Sequence, residues 1–223
     1  MTTRPALRSI LAGAAALVLL ASCQSGPPRP TFPELSYAHL APIQINVATV
    51  DVVREYVSPG VKPNVEQLFP LLPAAVVERW ARDRLRPVGA EGVARVVIKQ
   101  ASVVEMPLPR TQGVRGALTT DQSERYDGVL EVTIEASRRS DGRRAMVSSR
   151  AMRSRTVPED ITLNDREKVW FELTEALMND LNASLERQIY DNFGPFVTQG
   201  SLPPVTSPQG GGGGIRTEPL PSR

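Results

Sequence analysis

From residue 43 the chain alternates apolar and polar positions: Ile43, Ile45 and Val47 are set against Gln44, Asn46 and Ala48, and a β-branched run continues through Val50, Val52 and Val53. A period of two predicts a first strand, and Ser58-Pro59-Gly60 turns the chain after it. The period then changes. Pro73 suits the first turn of a helix, in which Leu72, Val76, Val77, Trp80 and Leu85 recur at helical spacing while Glu78, Arg79, Arg82, Asp83 and Arg86 fall on the water side. Pro87 and Gly89 end it, and residues 93–106 form a long β-branched stretch stopped by Pro107 and Pro109. A loop rich in Gly, Thr and Gln continues from there to Arg125.

The next pattern is a hairpin. Leu130, Val132, Ile134 and Ala136 alternate with Glu131, Thr133 and Glu135, so one face is expected to be buried and the other wet. Ser140-Asp141-Gly142 carries an Asp-Gly turn signal, and residues 144–157 return as small, apolar and Arg positions until Pro158. The last element is a long helix from about Asn164, which can cap the first turn with Glu167 three residues on. Trp170, Leu173, Leu177, Leu181, Leu185 and Ile189 then repeat every three or four residues, and Gly194-Pro195 stops the run.

The order β-α-β-β-β-α predicts an α+β two-layer sandwich, a mostly antiparallel sheet with two helices on one face. Prolines bracket that domain. Pro27, Pro28, Pro30 and Pro33 precede it among Ser, Gly and Thr, and Pro203, Pro204, Pro208, Pro219 and Pro221 follow it around five glycines, Gly210 to Gly214. Such composition favours extended, unpacked chain. The expected division is a signal segment at 1–22, a Pro-rich tether at 23–42, the α+β domain at 43–195 and a disordered tail at 196–223.

Composition narrows the chemistry. One Cys and one His in 223 residues exclude an internal disulfide framework, a Cys-based zinc site and a multi-His metal site. The formal charge is +2, but Arg4 and Arg8 lie before Cys23 in a stretch without acids, so the remainder is neutral. That argues against a nucleic-acid binder, and no motif points to a cofactor. The glycine run lacks the preceding strand and the Lys-Ser/Thr of a phosphate loop.

The N-terminal segment joins those two arginines to an apolar run from Ile10 to Leu20, ending in Leu20-Ala21-Ser22-Cys23. This is the plan of a signal peptide, too short to span a membrane as a helix. The last four residues resemble the lipobox of bacterial lipoproteins. That resemblance implies that Cys23 receives a diacylglyceryl group, that cleavage precedes it, and that its new amine is acylated. Two or more acyl chains give a stable anchor where one does not. Gln24 stands where an Asp would imply inner-membrane retention, so the resemblance implies the outer membrane, facing the periplasm. The element order beneath a lipobox and a Pro-rich leader also resembles the auxiliary lipoproteins of ABC-type envelope lipid-transport systems. It rests on no diagnostic motif and carries over no site residues.

Catalytic groups are sparse. His39 lies at the junction of tether and domain, no Gly-x-Ser-x-Gly elbow occurs, and an acylated Cys23 is no nucleophile. Glu131 and Glu135 share a strand face and form a candidate carboxylate pair. The Arg distribution is more distinctive: Arg138, Arg139, Arg143, Arg144, Arg150, Arg153 and Arg155 meet a single acid, Asp141. Guanidinium forks suit phosphate and carboxylate, so this hairpin is the candidate ligand or partner surface, against the alternative of a charged edge that resists aggregation. Phe171, Met178 and Tyr190 fall off the main stripe of the last helix and are expected to form an exposed apolar strip. Asn182-Ala183-Ser184 is a chance glycosylation match. The expected role is non-enzymatic: an accessory or docking component of an envelope assembly or lipid-transport complex, held by membrane lipid through Cys23. The alternative is a direct binder of an anionic envelope ligand, namely lipopolysaccharide, phospholipid or peptidoglycan.

Overall fold

The computed structural model describes residues 31–109 and 122–197. The described strands are β1 (Ile43–Ile45), β2 (Thr49–Arg54), β3 (Leu85–Pro87), β4 (Val93–Pro107), β5 (Gln122–Ser137) and β6 (Arg144–Pro158), and the α-helices are α1 (Pro73–Arg84) and α2 (Leu163–Asn192). The main sheet runs β2-β4-β5-β6, with β2 parallel to β4 and the other pairs antiparallel. Helix α1 packs on β2 and β4, and α2 on β5 and β6. This is the expected α+β sandwich.

Pairing register explains why one face holds the core. Ala94, Val96 and Ile98 lie opposite Ala136, Ile134 and Val132, and Ile134, Val132 and Leu130 lie opposite Val147, Ser149 and Ala151. All of these are buried. Lys99 is the extra residue of a bulge between Ile98 and Gln100, so burial passes from even positions to Ala101 and Val103. Gly128 sits on the same face under α2, where a Cβ would come 2.7 Å from Leu177 Cδ1. The helix can approach the sheet closely there because that side chain is missing.

Several boundaries differ from the sequence reading. The first strand is two strands. β1 pairs in parallel with β3 as a separate two-stranded sheet, and residues 46–48 carry the chain across to the main sheet, with the Asn46 N–H donated to Phe196 and the Ala48 N–H to Gly92. Leu85 is buried as expected but opens β3, and Leu72 is the exposed N-cap of α1 rather than a core position. Strand β5 begins at Gln122, before the expected loop end at Arg125; residues 110–121 of that loop lie outside the described residues. Thr162, not Asn164, caps α2. Its Oγ1 accepts from the Asp165 N–H at 3.1 Å and donates to Asp165 Oδ2 at 2.6 Å.

The α2 stripe Trp170, Leu173, Leu177, Leu181, Leu185 and Ile189 is buried as expected, whereas the exposed strip is not formed. Met178 is fully buried, and Phe171 stacks on Phe32 with ring centroids 5.2 Å apart. Phe32 belongs to a segment that composition assigns to the tether. Residues 32–41 instead form a strap on the helix pair: Glu34 pairs with Arg79, Asp83 Oδ2 accepts from Ser36 Oγ and the Tyr37 N–H, and Tyr37 is buried. Burial and the nearby Glu175 charge push the Tyr37 phenol up to about 12. At the other end Phe196 joins the core, against Phe193. Cys23 and residues 198–223 lie outside the described residues.

Candidate interaction surface

Because both helices pack on one side, no element among the described residues covers the other face of the main sheet. Side chains alternate across a strand, so this face carries Asp51 and Val53 from β2, Arg95 and Val97 from β4, Glu131, Thr133 and Glu135 from β5, and Arg144, Met146, Ser148, Arg150 and Met152 from β6, with Val97 and Thr133 buried at its centre. Met146 is 65% exposed and Met152 63%. Thr133 and Ser148 hydrogen-bond across β5 and β6 at 3.1 Å, and Arg150 Nη1 lies 3.0 Å from Glu131 Oε2. Strand β6 is also the sheet's outer edge.

The seven hairpin arginines do not form one patch. Arg144 and Arg150 belong to the open face. Arg153 and Arg155 lie opposite Gly128 and Tyr126, on the helix side. Arg153 Nε is 2.6 Å from Asp180 Oδ2 on α2, and the Arg155 Nη1 donates to the Ser154 carbonyl. Arg138, Arg139 and Arg143 belong to the turn. There the Arg138 N–H bonds the Arg143 carbonyl at 3.0 Å, and Gly142 supplies a left-handed φ of 69°. Arg138 Nη2 donates to the Asn46 carbonyl, with its guanidinium over the Phe196 ring. Asp141 accepts from Arg138 and Arg143. Burial raises the Asp141 pKa, but the Arg143 N–H and the two guanidinium charges together outweigh it and hold the carboxyl below the usual range.

Arg139 and Arg144 form no ion pair among the described residues, and each borders a shallow hollow. One, of about 530 Å³, is lined by Glu135, Ser137, Arg144 and Met146. The other, of about 480 Å³, is lined by Asp51, Glu91, Arg95, Glu135 and Arg139. Glu135 borders both. Glu131 is engaged by Arg150, so the two strand carboxylates have unlike environments. His39 is exposed and stacks on Tyr37. Among the described residues no group of three or more His, Cys, Asp or Glu could hold a metal ion, and no helix is long and apolar enough to cross a membrane.

Two buried charged residues escaped the sequence reading. Arg84 serves a different acceptor with each guanidinium nitrogen: Nε donates to Asn182 Oδ1, Nη1 to the Ala41 carbonyl and Nη2 to Glu186. Asn182 Oδ1 also accepts from Trp80 Nε1 at 2.8 Å, so the chance glycosylation motif supplies a lock between the helices. Glu66 lies in a 3-10 turn, Glu66–Leu68. It accepts from Tyr56 Oη at 2.6 Å and the Val103 N–H at 3.1 Å. Burial raises its pKa, yet these bonds and others outweigh burial and leave the carboxyl below its ordinary value. Arg84 ties the strap to both helices, and Glu66 ties the 3-10 turn to the backbone edge of β4.

No family model and no curated protein matches the chain. Solved structures similar to it include the minor lipoprotein from Acinetobacter baumannii, at 12% identity over 68% of this chain and 96% of that one, TM-score 0.33. Another is the rare lipoprotein B from Shewanella oneidensis, at 13% identity over 64% and 97%, TM-score 0.31. A third is a protein from Xanthomonas campestris, at 10% identity over 72% and 94%, TM-score 0.26.

Proposed function

We propose that this chain is a lipid-anchored lipoprotein of the bacterial envelope, on the periplasmic side of the outer membrane, acting as a non-enzymatic accessory that docks an envelope assembly or lipid-transport complex. The anchor rests on Leu20-Ala21-Ser22-Cys23 and the basic and apolar residues before it. The docking role rests chiefly on one observation, the sheet face that no element among the described residues covers. Strands of 15 and 16 residues bear two exposed methionines between Arg144, Arg150, Glu131 and Glu135. Methionine is unbranched and polarisable and adapts to a partner's shape, while the flanking charges fix register.

The test is a crosslinked pull-down of the full-length lipidated protein from native envelope membranes, comparing the parent with Met146→Glu/Met152→Glu. Near-stoichiometric recovery of the same few proteins, lost in the variant while its circular dichroism is unchanged, supports the reading. Recovery unaffected by the substitutions removes the open face as the docking surface.

A second reading is supported by Arg139 and Arg144, exposed beside the hollows without an acid partner among the described residues. In it the turn end of the sheet binds an anionic envelope ligand. Lipopolysaccharide binding by the isolated protein should then weaken with salt and fall in Arg139→Ala/Arg144→Ala; equal affinity for parent and variant rejects it.

A further inference from the structure

The two ends of the sandwich differ. Helix α2 runs alongside β5, with Arg166 3.3 Å from Glu124 near the start of the strand and Arg138, just past its end, over Phe196 beyond the helix C-terminus. The strap enters at the first of these ends, because Phe32 stacks on Phe171 in the opening turns of α2, and it leaves toward Arg84 at the close of α1. With residues 32–41 held on the helices, the segment between Cys23 and the strap is residues 24–31. Its nine Cα steps from Cys23 to Phe32 reach at most about 30 Å. From Phe171 to its C-terminus at Asn192 the helix rises about 32 Å, and the Arg139 turn lies beyond that end, at the limit of what the segment can span.

The entry end is also where exposed apolar side chains gather. Leu72 starts α1 and Leu163 starts α2. Val61 and Leu68 lie in the connection whose Lys62 pairs with Glu105 and whose Val65 N–H bonds the Val103 carbonyl, beside the end of β4. Met106 is in that end of β4. All five are exposed, from 42% at Met106 to 65% at Val61. The turn end carries Arg139, Arg143 and Glu91, with Val88 and Val93 as its exposed large apolar side chains among the described residues.

We propose that the entry end, through Val61, Leu68, Leu72, Met106 and Leu163, rests on the lipid bilayer that holds acylated Cys23. The strap thereby sets the domain's orientation, with the arginine turn pointing away from the membrane. The inference rests on lipidation at Cys23. Its argument is position and reach: the chain meets the domain at its most apolar end, within the span that an anchored Cys23 allows, and apolar surface held against lipid headgroups and acyl boundaries is favourable.

The test couples the chain from Cys23 onward, through its single thiol, to maleimide-phosphatidylethanolamine in vesicles of phosphatidylethanolamine and phosphatidylglycerol. Amide hydrogen exchange is then compared with the uncoupled protein. Several-fold slower exchange in peptides covering 61–72, 105–108 and 160–166, with none at 138–144, is the expected result. Leu72→Glu/Leu163→Glu should abolish the slowing while sheet amides exchange as in the parent, showing an intact fold. Slowing at the turn instead, or at neither end, overturns the proposal. Coupling is chemical, so this outcome is independent of lipidation in the cell, which the mass of the N-terminal peptide from membrane-extracted protein decides separately.

Discussion

Arg84→Ala should be among the most damaging single substitutions in the chain. The side chain is 1% exposed while its partner Glu186 keeps 30% exposure. Removing one member of a buried pair costs about 3–5 kcal/mol, and water at Glu186 moves this case toward the lower bound. Loss of the bond to the Ala41 carbonyl adds about 1 kcal/mol, and the vacated volume beside Trp80 and Asn182 adds to that. A total of roughly 4 kcal/mol is a large share of the 5–15 kcal/mol by which native domains are stable. At about 2–4 °C per kcal/mol for a chain of this size, Tm should fall by roughly 8–16 °C.

Arg84→Lys separates charge from geometry. An ammonium on a flexible stem cannot serve the three directions of the guanidinium fork, so it should recover less than half of the loss. The assay is urea unfolding followed by circular dichroism for both variants, with Glu186→Ala and the double variant closing the cycle. A loss below about 1 kcal/mol in Arg84→Ala, the range of an exposed pair, or full rescue by Lys, would refute the view of Arg84 as the junction of strap, α1 and α2.

Three further outcomes are expected. Glu66→Gln leaves one carbonyl oxygen where two carboxylate oxygens now serve Tyr56 and the Val103 N–H, costing about 1–3 kcal/mol. The folded pKa is depressed, so this contribution is present above the carboxylate range and is lost as pH falls through the folded pKa; the gap between parent and variant in urea midpoints should close in acid. Gly128→Val drives a β-branched side chain into Leu177 and Leu173 and should cost roughly 1–3 kcal/mol, read as a lower Tm with an unchanged far-ultraviolet spectrum; an unchanged Tm contradicts the close approach of α2. All four tyrosines have raised pKa values, foremost through burial. Unfolded phenols ionise first, so stability should decline as pH rises from about 10 toward 12, and phenolate absorbance should appear together with unfolding. Earlier ionisation of all four phenols in the folded state would contradict their burial.

The sequence was most legible where one period ran unbroken through an element. The α2 stripe keeps its spacing from Trp170 to Ile189, and Leu130 to Ala136 alternate cleanly, so burial followed the pattern. Legibility failed where a partner distant in the chain decides the conformation. The split between β1 and β2 depends on Phe196 and Gly92 taking the backbone N–H groups of Asn46 and Ala48, which local alternation cannot reveal. The strap was hidden for a related reason. Its prolines favour extended chain, and extended chain can dock in a groove as readily as it can remain free. Phe32 and Tyr37 were the available signals, as aromatic residues within an otherwise tether-like composition.

The arginines show why counting charge along a segment does not define a surface. Seven arginines against one acid between 138 and 155 is a local ratio, and folding supplies the missing acids from outside it, Glu131 from the neighbouring strand and Asp180 from α2. Strand alternation then divides what remains, sending Arg153 and Arg155 to the helix side and Arg144 and Arg150 to the open face. Arg138 is held by Asn46, Asp141 and Phe196 and acts as a fastener of the turn. Of the seven, Arg139, Arg144 and Arg155 are left exposed without an ion pair among the described residues, and Arg155 lies on the helix side, away from the other two. A phosphate-bearing ligand gripped by the whole hairpin would have to displace Glu131 and Asp180 and bridge both sides of a sheet, which no single small anion can do. Protein docking on the open face needs neither change, since Arg150 and Glu131 can stay paired while Met146 and Met152 are covered. That difference in what must be broken is why the docking reading stands ahead of the anion reading.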